Sequence, residues 1–143
     1  MEIESDILFK SKLLEDHMIA HFNKQLKVND MTASQMRILV FLMEIKKGTT
    51  TPQKEIQDYF GLKHPTVIGL LKRMEEKGLV TVTIDEKDKR QRNVNIMPKA
   101  FEQKEMMKKH KICLEEKIYK GFDKDEIIEL GRLLDKLIIN FLE

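Results

Sequence analysis

Apolar residues recur at near-helical spacing through residues 3–26: Ile3, Ile7, Leu14, Met18, Phe22 and Leu26, widened by Leu8, Leu13 and Ile19. That stripe predicts one long amphipathic helix, and "KVND" then breaks it. "MTASQM" (31–36) has the form of a helix start. Thr32 can cap, Gln35 three residues on completes a capping box, and Met31 with Met36 suits a hydrophobic staple. "RILVFLMEI" is apolar nearly all round, which predicts a fully buried helix ending at Gly48. "TTTPQKEIQDYFG" (49–61) predicts a short helix capped by Thr50 or Thr51, with Pro52 in its first turn and Gly61 as its stop. A second helix follows after only a few residues, with Pro65 at its start and Gly78 at its end. Its Val67, Leu70, Leu71 and Met74 fall at i, i+3, i+4 and i+7.

The period then changes. Val80, Val82 and Ile84 alternate with Thr81 and Thr83, and Val94 and Ile96 alternate again after the run "DEKDKRQR" (85–92). This predicts a two-stranded hairpin with a long charged loop. From Pro98 to Lys120 the helical pattern returns, and Gly121 closes it. Asp123 can cap a last helix in which Ile127, Leu130, Leu134, Leu137 and Phe141 step by three and four.

Two short helices joined by a glycine-containing turn and followed at once by a hairpin make a winged helix-turn-helix. The expected fold is therefore mainly α, with a small two- or three-stranded β-wing and long terminal dimerisation helices. Residues 31–97 form the DNA-binding part, and residues 1–30 and 98–143 the helical dimerisation region. In such a fold the second helix enters the major groove and the hairpin loop reaches the backbone or minor groove. With the apolar seam of residues 64–77 turned inward, the outward face presents Pro65, Thr66, Gly69, Lys72 and Arg73, with Lys63 before it and Ile68 at its edge. Thr66 and Ile68 suit thymine methyls or base edges; Lys72 and Arg73 suit phosphate or guanine. Gly69 is either a tolerated helix glycine or a point where the backbone nears the groove wall. Two of the chain's five arginines, Arg90 and Arg92, lie in the charged run beside Lys87 and Lys89. The competing reading of that run is a solvated hairpin in which Asp85, Glu86 and Asp88 cancel the field.

Net charge is only +2 among 143 residues, so the case for nucleic acid rests on where the cations sit, not on their excess. The one cysteine, Cys113, allows no disulfide within the chain. No apolar run approaches the ~20 residues of a membrane span, and the acidic start is unlike a signal peptide. A cytoplasmic protein with no membrane partner is expected. No Gly-rich phosphate loop, activated nucleophile or carboxylate cluster appears, so neither an enzyme nor a cofactor is expected.

The stretches "MTASQMRILVFL" (31–42), "TPQKEIQDYFGLKHPTVIGLLKRMEEKGLV" (51–80) and "DEKDKRQRNVNIMPKA" (85–100) resemble the MarR (multiple antibiotic resistance regulator) family of transcription factors. The order of elements resembles that family along nearly the whole chain. Departures are Ile96 and Met97 where Leu-Thr is usual, Ala100 where the strand usually continues to a Gly, Thr81 where a basic residue often stands, and Gly69 where a polar or basic one does. The resemblance implies a homodimeric transcriptional regulator, a ligand-responsive repressor, binding double-stranded DNA at a pseudo-palindromic operator. It assigns minor-groove insertion to Arg90 and the orienting of a neighbouring arginine to Asp88. The terminal helices (3–26, 98–120 and 124–142) have apolar faces too wide for a monomer, which predicts a dimer interface including Ile7, Leu14, Ile127, Leu130, Leu134, Leu137 and Phe141. The resemblance also implies a small aromatic or anionic effector, for which His17, His21, Met36, Met106 and His110 are candidate pocket residues. His17 with His21, and His110 with Cys113, have the one-turn spacing of zinc ligands; the preferred expectation is no metal, with Cys113 a small buried thiol. The alternatives are a winged-helix protein-interaction module that binds no DNA, and a zinc-responsive member of the same family.

Overall fold

The computed structural model describes residues 6–142. Ile3, in the first apolar stripe, lies outside that range. The chain divides into two compact units between Met107 and Lys108. Among the described residues the fold is mainly helical, with one three-stranded antiparallel sheet in the order β1-β3-β2.

Helix α1 (Ile7–Leu26) starts where the Asp6 carboxylate accepts the Leu8 amide at 2.8 Å. A left-handed Asp30 (φ 53°) turns the chain into α2 (Ala33–Val40). The expected capping box is formed there: Thr32 Oγ1 accepts the Gln35 amide at 3.2 Å, and Gln35 Oε1 accepts the Thr32 amide at 3.4 Å. Such a box satisfies two of the helix's free donors. Past Val40 the helix widens into a π turn, Phe41–Ile45.

The expectation of burial all round fails here. Val40 and Ile45 are exposed, as are Arg37 and Glu44. The π turn keeps Phe41, Leu42 and Met43 in the core and turns Ile45 outward. Phe41 packs with Tyr59 and Phe60 at centroid distances of 4.6 and 5.5 Å, and Arg37 lies 5.0 Å over the Phe60 ring.

Neither Thr50 nor Thr51 caps the next helix. Thr51 is buried in strand β1 (Thr51–Pro52), opposite Val94, and its hydroxyl donates to the Thr49 carbonyl at 3.1 Å. Helix α3 (Gln53–Phe60) follows Pro52 directly and ends at Gly61, whose φ of 63° is open to glycine without strain. Helix α4 (His64–Glu76) carries Pro65 in its first turn and ends before Gly78 (φ 74°). Strands β2 (Val80–Ile84) and β3 (Arg92–Ile96) pair with Val82 opposite Val94. Arg92 therefore belongs to β3, opposite Ile84, and not to the loop as expected.

The helix expected over residues 98–120 is interrupted. Helix α5 (Pro98–Phe101) and helix α6 (Lys104–Ile118) are separate. At the break the amides of Glu102 and Gln103 bond three residues back, to Lys99 and Ala100, a tighter turn than an α-helix makes. Ala100, fully buried, anchors the bend in the core. A second capping box, between Asp123 and Glu126 (2.8 and 3.1 Å), opens α7 (Lys124–Leu142).

The core of the first unit gathers Leu26, Ile38, Leu39, Leu42, Ile56, Val67, Leu71, Met74, Val80 and Val94. It clamps the inner face of α4 against α2, α3 and the sheet. Lys77, at the end of α4, adds a polar tie: its ammonium donates to the buried Gln35 Oε1 at 2.8 Å and to the Asp30 carbonyl, while Lys99 donates to the Lys77 carbonyl at 2.8 Å. By contrast, no α7 residue is buried; Leu130, Leu134, Leu137 and Phe141 are exposed and Ile127 half-buried. Ile7 and Leu14 of α1 are exposed too. Among the described residues no helix is long and apolar enough to cross a membrane.

Candidate nucleic-acid interface

Burial of Val67, Leu71 and Met74 fixes the rotation of α4 about its axis. The opposite face must then look outward: Pro65, Thr66, Lys72 and Arg73 are exposed on it, Gly69 lies half-buried among them and Ile68 half-buried at its rim. Lys63 is the exposed N-cap residue. At Gly69 an added Cβ would meet no atom within 4 Å, so packing within the chain does not require glycine there.

The loop between β2 and β3 is held by hydrogen bonds from end to end. The Asp85 amide donates to the Gln91 carbonyl at 2.9 Å, and the Gln91 amide to the Asp88 carbonyl at 2.9 Å. Asp85 Oδ2 accepts the amides of Lys87 (3.0 Å) and Asp88 (2.8 Å), while its Oδ1 accepts from Asn93 Nδ2 at 3.0 Å. The Asp88 amide bond foremost, then the Asn93 bond, holds the Asp85 carboxyl below its ordinary pKa. Asp88 Oδ1 accepts both the amide (3.1 Å) and Nε (3.3 Å) of Arg90. The Arg90 side chain remains 93% exposed. Lys87, Lys89 and Arg92 are exposed beside it.

The outer face of the sheet continues this polar pattern. Gln91 donates to Asn93 at 3.0 Å, Asn95 to Thr83 at 3.2 Å, and Thr50 to Asn95 at 2.6 Å. Glu75, near the end of α4, accepts the Val82 amide at 3.0 Å and so bonds that helix to the free edge of β2. Neither Asp85 nor Glu75 was singled out from sequence for a bonding role. For Asp85 the available signal was an Asp two and three residues ahead of loop amides, the pattern of an Asx-turn.

Met36 is buried in the core and Met106 packs against it, which accounts for both as core residues. His17 is exposed, and His21 and His110 are half-buried. Cys113 is exposed, contrary to the buried thiol expected; its helix α6 has only Met107 buried, and no described residue covers the position. Among the described residues no three His, Cys, Asp or Glu side chains form a group able to hold a metal ion.

The MarR family model matches residues 29–91. No curated protein matches the chain by sequence. Among solved structures, MarR is similar over 99% of this chain and 95% of its own, at 16% identity and a TM-score of 0.86. The S. aureus MepR–DNA complex matches over 95% and 98%, at 18% identity and a TM-score of 0.82. The transcription regulator MarR from Oenococcus oeni PSU-1 matches over 93% and 98%, at 26% identity and a TM-score of 0.71.

Proposed function

We propose that this chain, whose residues 29–91 match the MarR family model, is a homodimeric MarR-type regulator of transcription that binds a pseudo-palindromic operator in double-stranded DNA. The observation that carries this is the joint exposure of one α4 face and a pre-shaped wing. Thr66, Lys72 and Arg73 stand free on the helix, and Arg90 projects from a loop whose backbone is already fixed. A groove-reading helix beside a cationic tip meets both needs of a DNA reader: base edges for specificity, phosphate for affinity. The MepR solved with DNA has this fold.

The dimer is supported by the apolar side chains of α1 and α7 that the chain leaves uncovered, from Ile7 and Leu14 to Leu134 and Phe141. Exposed apolar surface on this scale is characteristic of a subunit interface. Two copies of α4 would then face half-sites about one helical turn apart. Repression relieved by a small aromatic or anionic effector completes the reading and rests on the family resemblance.

The test is binding to duplex DNA over a salt series. Arg90→Ala should weaken operator and mixed-sequence DNA by similar factors and lower the salt slope by about one unit, as loss of a phosphate-type contact does. Thr66→Ala should weaken the operator selectively, by ~1–3 kcal/mol for a base contact. A natively folded Arg90→Ala variant with unchanged affinity at low salt would refute the wing reading.

A further inference from the structure

Residues 85–91 hold three acids (Asp85, Glu86, Asp88) and three cations (Lys87, Lys89, Arg90), so the wing tip has no net charge. Beside a phosphate backbone each acid is repulsive, and charge alone says that removing any of them should tighten binding. The bonding pattern separates the acids from one another. Asp85 fills both carboxylate oxygens, taking the Lys87 and Asp88 amides on one and the Asn93 amide group on the other. Glu86, its neighbour, has no hydrogen-bond or ion-pair partner among the described residues.

We propose that Asp85 is a positioning residue of the DNA interface: it shapes the wing so that Arg90 is presented, and its loss weakens DNA binding although it removes a negative charge. The inference rests on the wing reading above. The bonds run in sequence from the sheet to the arginine. Asn93 in β3 anchors Asp85; Asp85 fixes the Asp88 amide; Asp88 holds Arg90 through its amide and Nε. The Gln91–Asp88 and Asp85–Gln91 backbone bonds close the loop behind them. Without Asp85, two loop amides lose their acceptor and the Asp88 carboxylate loses its fixed place. Arg90 must then be ordered at the moment of binding, an entropic cost that pre-organisation avoids. Glu75 serves the same interface from the helix side, since its bond to the Val82 amide sets the hairpin against α4.

The experiment compares Asp85→Ala, Asp85→Asn, Glu86→Gln and Arg90→Ala for binding to mixed-sequence duplex at low salt, with amide exchange of residues 87 and 88 read in the free protein. Glu86→Gln, which removes a charge and no bond, should bind as tightly as the parent or tighter. Asp85→Ala should bind several-fold more weakly, approaching the loss of Arg90→Ala, which is roughly fivefold to tenfold for one phosphate contact near 0.1 M salt. The double variant Asp85→Ala/Arg90→Ala should bind like Arg90→Ala alone, because a misplaced arginine has little left to lose. Asp85→Asn keeps one carbonyl oxygen for the two loop amides and should lie between Asp85→Ala and the parent. Protection of the residue 87 and 88 amides should fall in Asp85→Ala and persist in Glu86→Gln. If Asp85→Ala and Asp85→Asn bind as tightly as Glu86→Gln, charge alone governs and the proposal is overturned, with the wing reading intact. If Arg90→Ala binds like the parent, the wing reading falls and the proposal with it. Should Asp85→Ala not fold, the comparison of Asp85→Asn with Glu86→Gln decides, since each removes one negative charge.

Discussion

Gly69 stands at the centre of the outward face of α4, one turn from Pro65, Thr66, Lys72 and Arg73. Replacing it with alanine should move stability and DNA binding in opposite directions. A glycine inside a helix costs about 1 kcal/mol relative to alanine. The new methyl would meet no atom within 4 Å and the backbone is not in the left-handed region, so nothing in the chain offsets that gain. For a chain of this length about 1 kcal/mol corresponds to a rise of about 3 °C in melting temperature. If the bare helix backbone meets the groove wall, the same methyl overfills a packed interface, at a cost of ~1–3 kcal/mol. That range is roughly fivefold to 150-fold in dissociation constant. Thermal melting by circular dichroism and DNA titration of Gly69→Ala, side by side with the parent, measure the two effects. A variant that melts higher and binds DNA unchanged removes the close-approach explanation of Gly69. A variant that melts lower contradicts the open space seen around it.

Other consequences follow from the geometry. Replacing Leu134 and Leu137 together with glutamate should abolish dimerisation, and light scattering that still finds a folded dimer would exclude α7 from the interface. Thr32→Ala removes one side of the capping box and should lower unfolding free energy by about 1 kcal/mol in urea, with DNA affinity per folded molecule unchanged. Asp85 has a folded pKa below its unfolded value of about 3.9, so its contribution is complete above that value and is lost as pH falls through the lower folded one. Amide protection at residues 87 and 88 should accordingly hold from neutral pH to about 5 and fail only below about 4; loss near neutrality would rule out Asp85 as the clamp.

What the sequence disclosed and what it withheld divide along a physical line. Features set by a few neighbouring residues were legible: the Thr32–Gln35 box, the Asp123 cap, Pro65 in the first turn of α4, and helix ends at Gly61 and Gly78. Each depends on local hydrogen bonding or a backbone angle that the residue type itself prefers. The outward face of α4 was legible for a related reason, because a buried seam at i, i+3, i+4 and i+7 leaves only one face for everything else. Features decided across the chain were not. Thr51 looked like a helix cap because threonine caps helices, but Val94, distant in sequence, draws it into a strand. Arg92 looked like loop because it is charged, but the register set by Val82 and Val94 places it in β3. The helical pattern from Pro98 onward hid a bend that exists because Ala100 is drawn into a core built by other segments.

The acids of the wing show the same division at the level of function. Counted as charges, Asp85, Glu86 and Asp88 oppose everything a DNA-binding loop should do, and a sequence offers little besides the count. Placed in space they differ. Glu86 has no partner among the described residues, Asp88 is bonded to the arginine it would seem to neutralise, and Asp85 holds the turn that carries them both. A long arginine on a short loop has many conformations, and few of them reach a groove. An acid that removes the unproductive ones can add more to affinity through lost entropy than it subtracts through repulsion, because at an exposed, screened site a unit charge several ångströms away is worth only about 1 kcal/mol. The sign of a residue's charge therefore does not fix the sign of its contribution to the interface; the atoms its carboxylate bonds do.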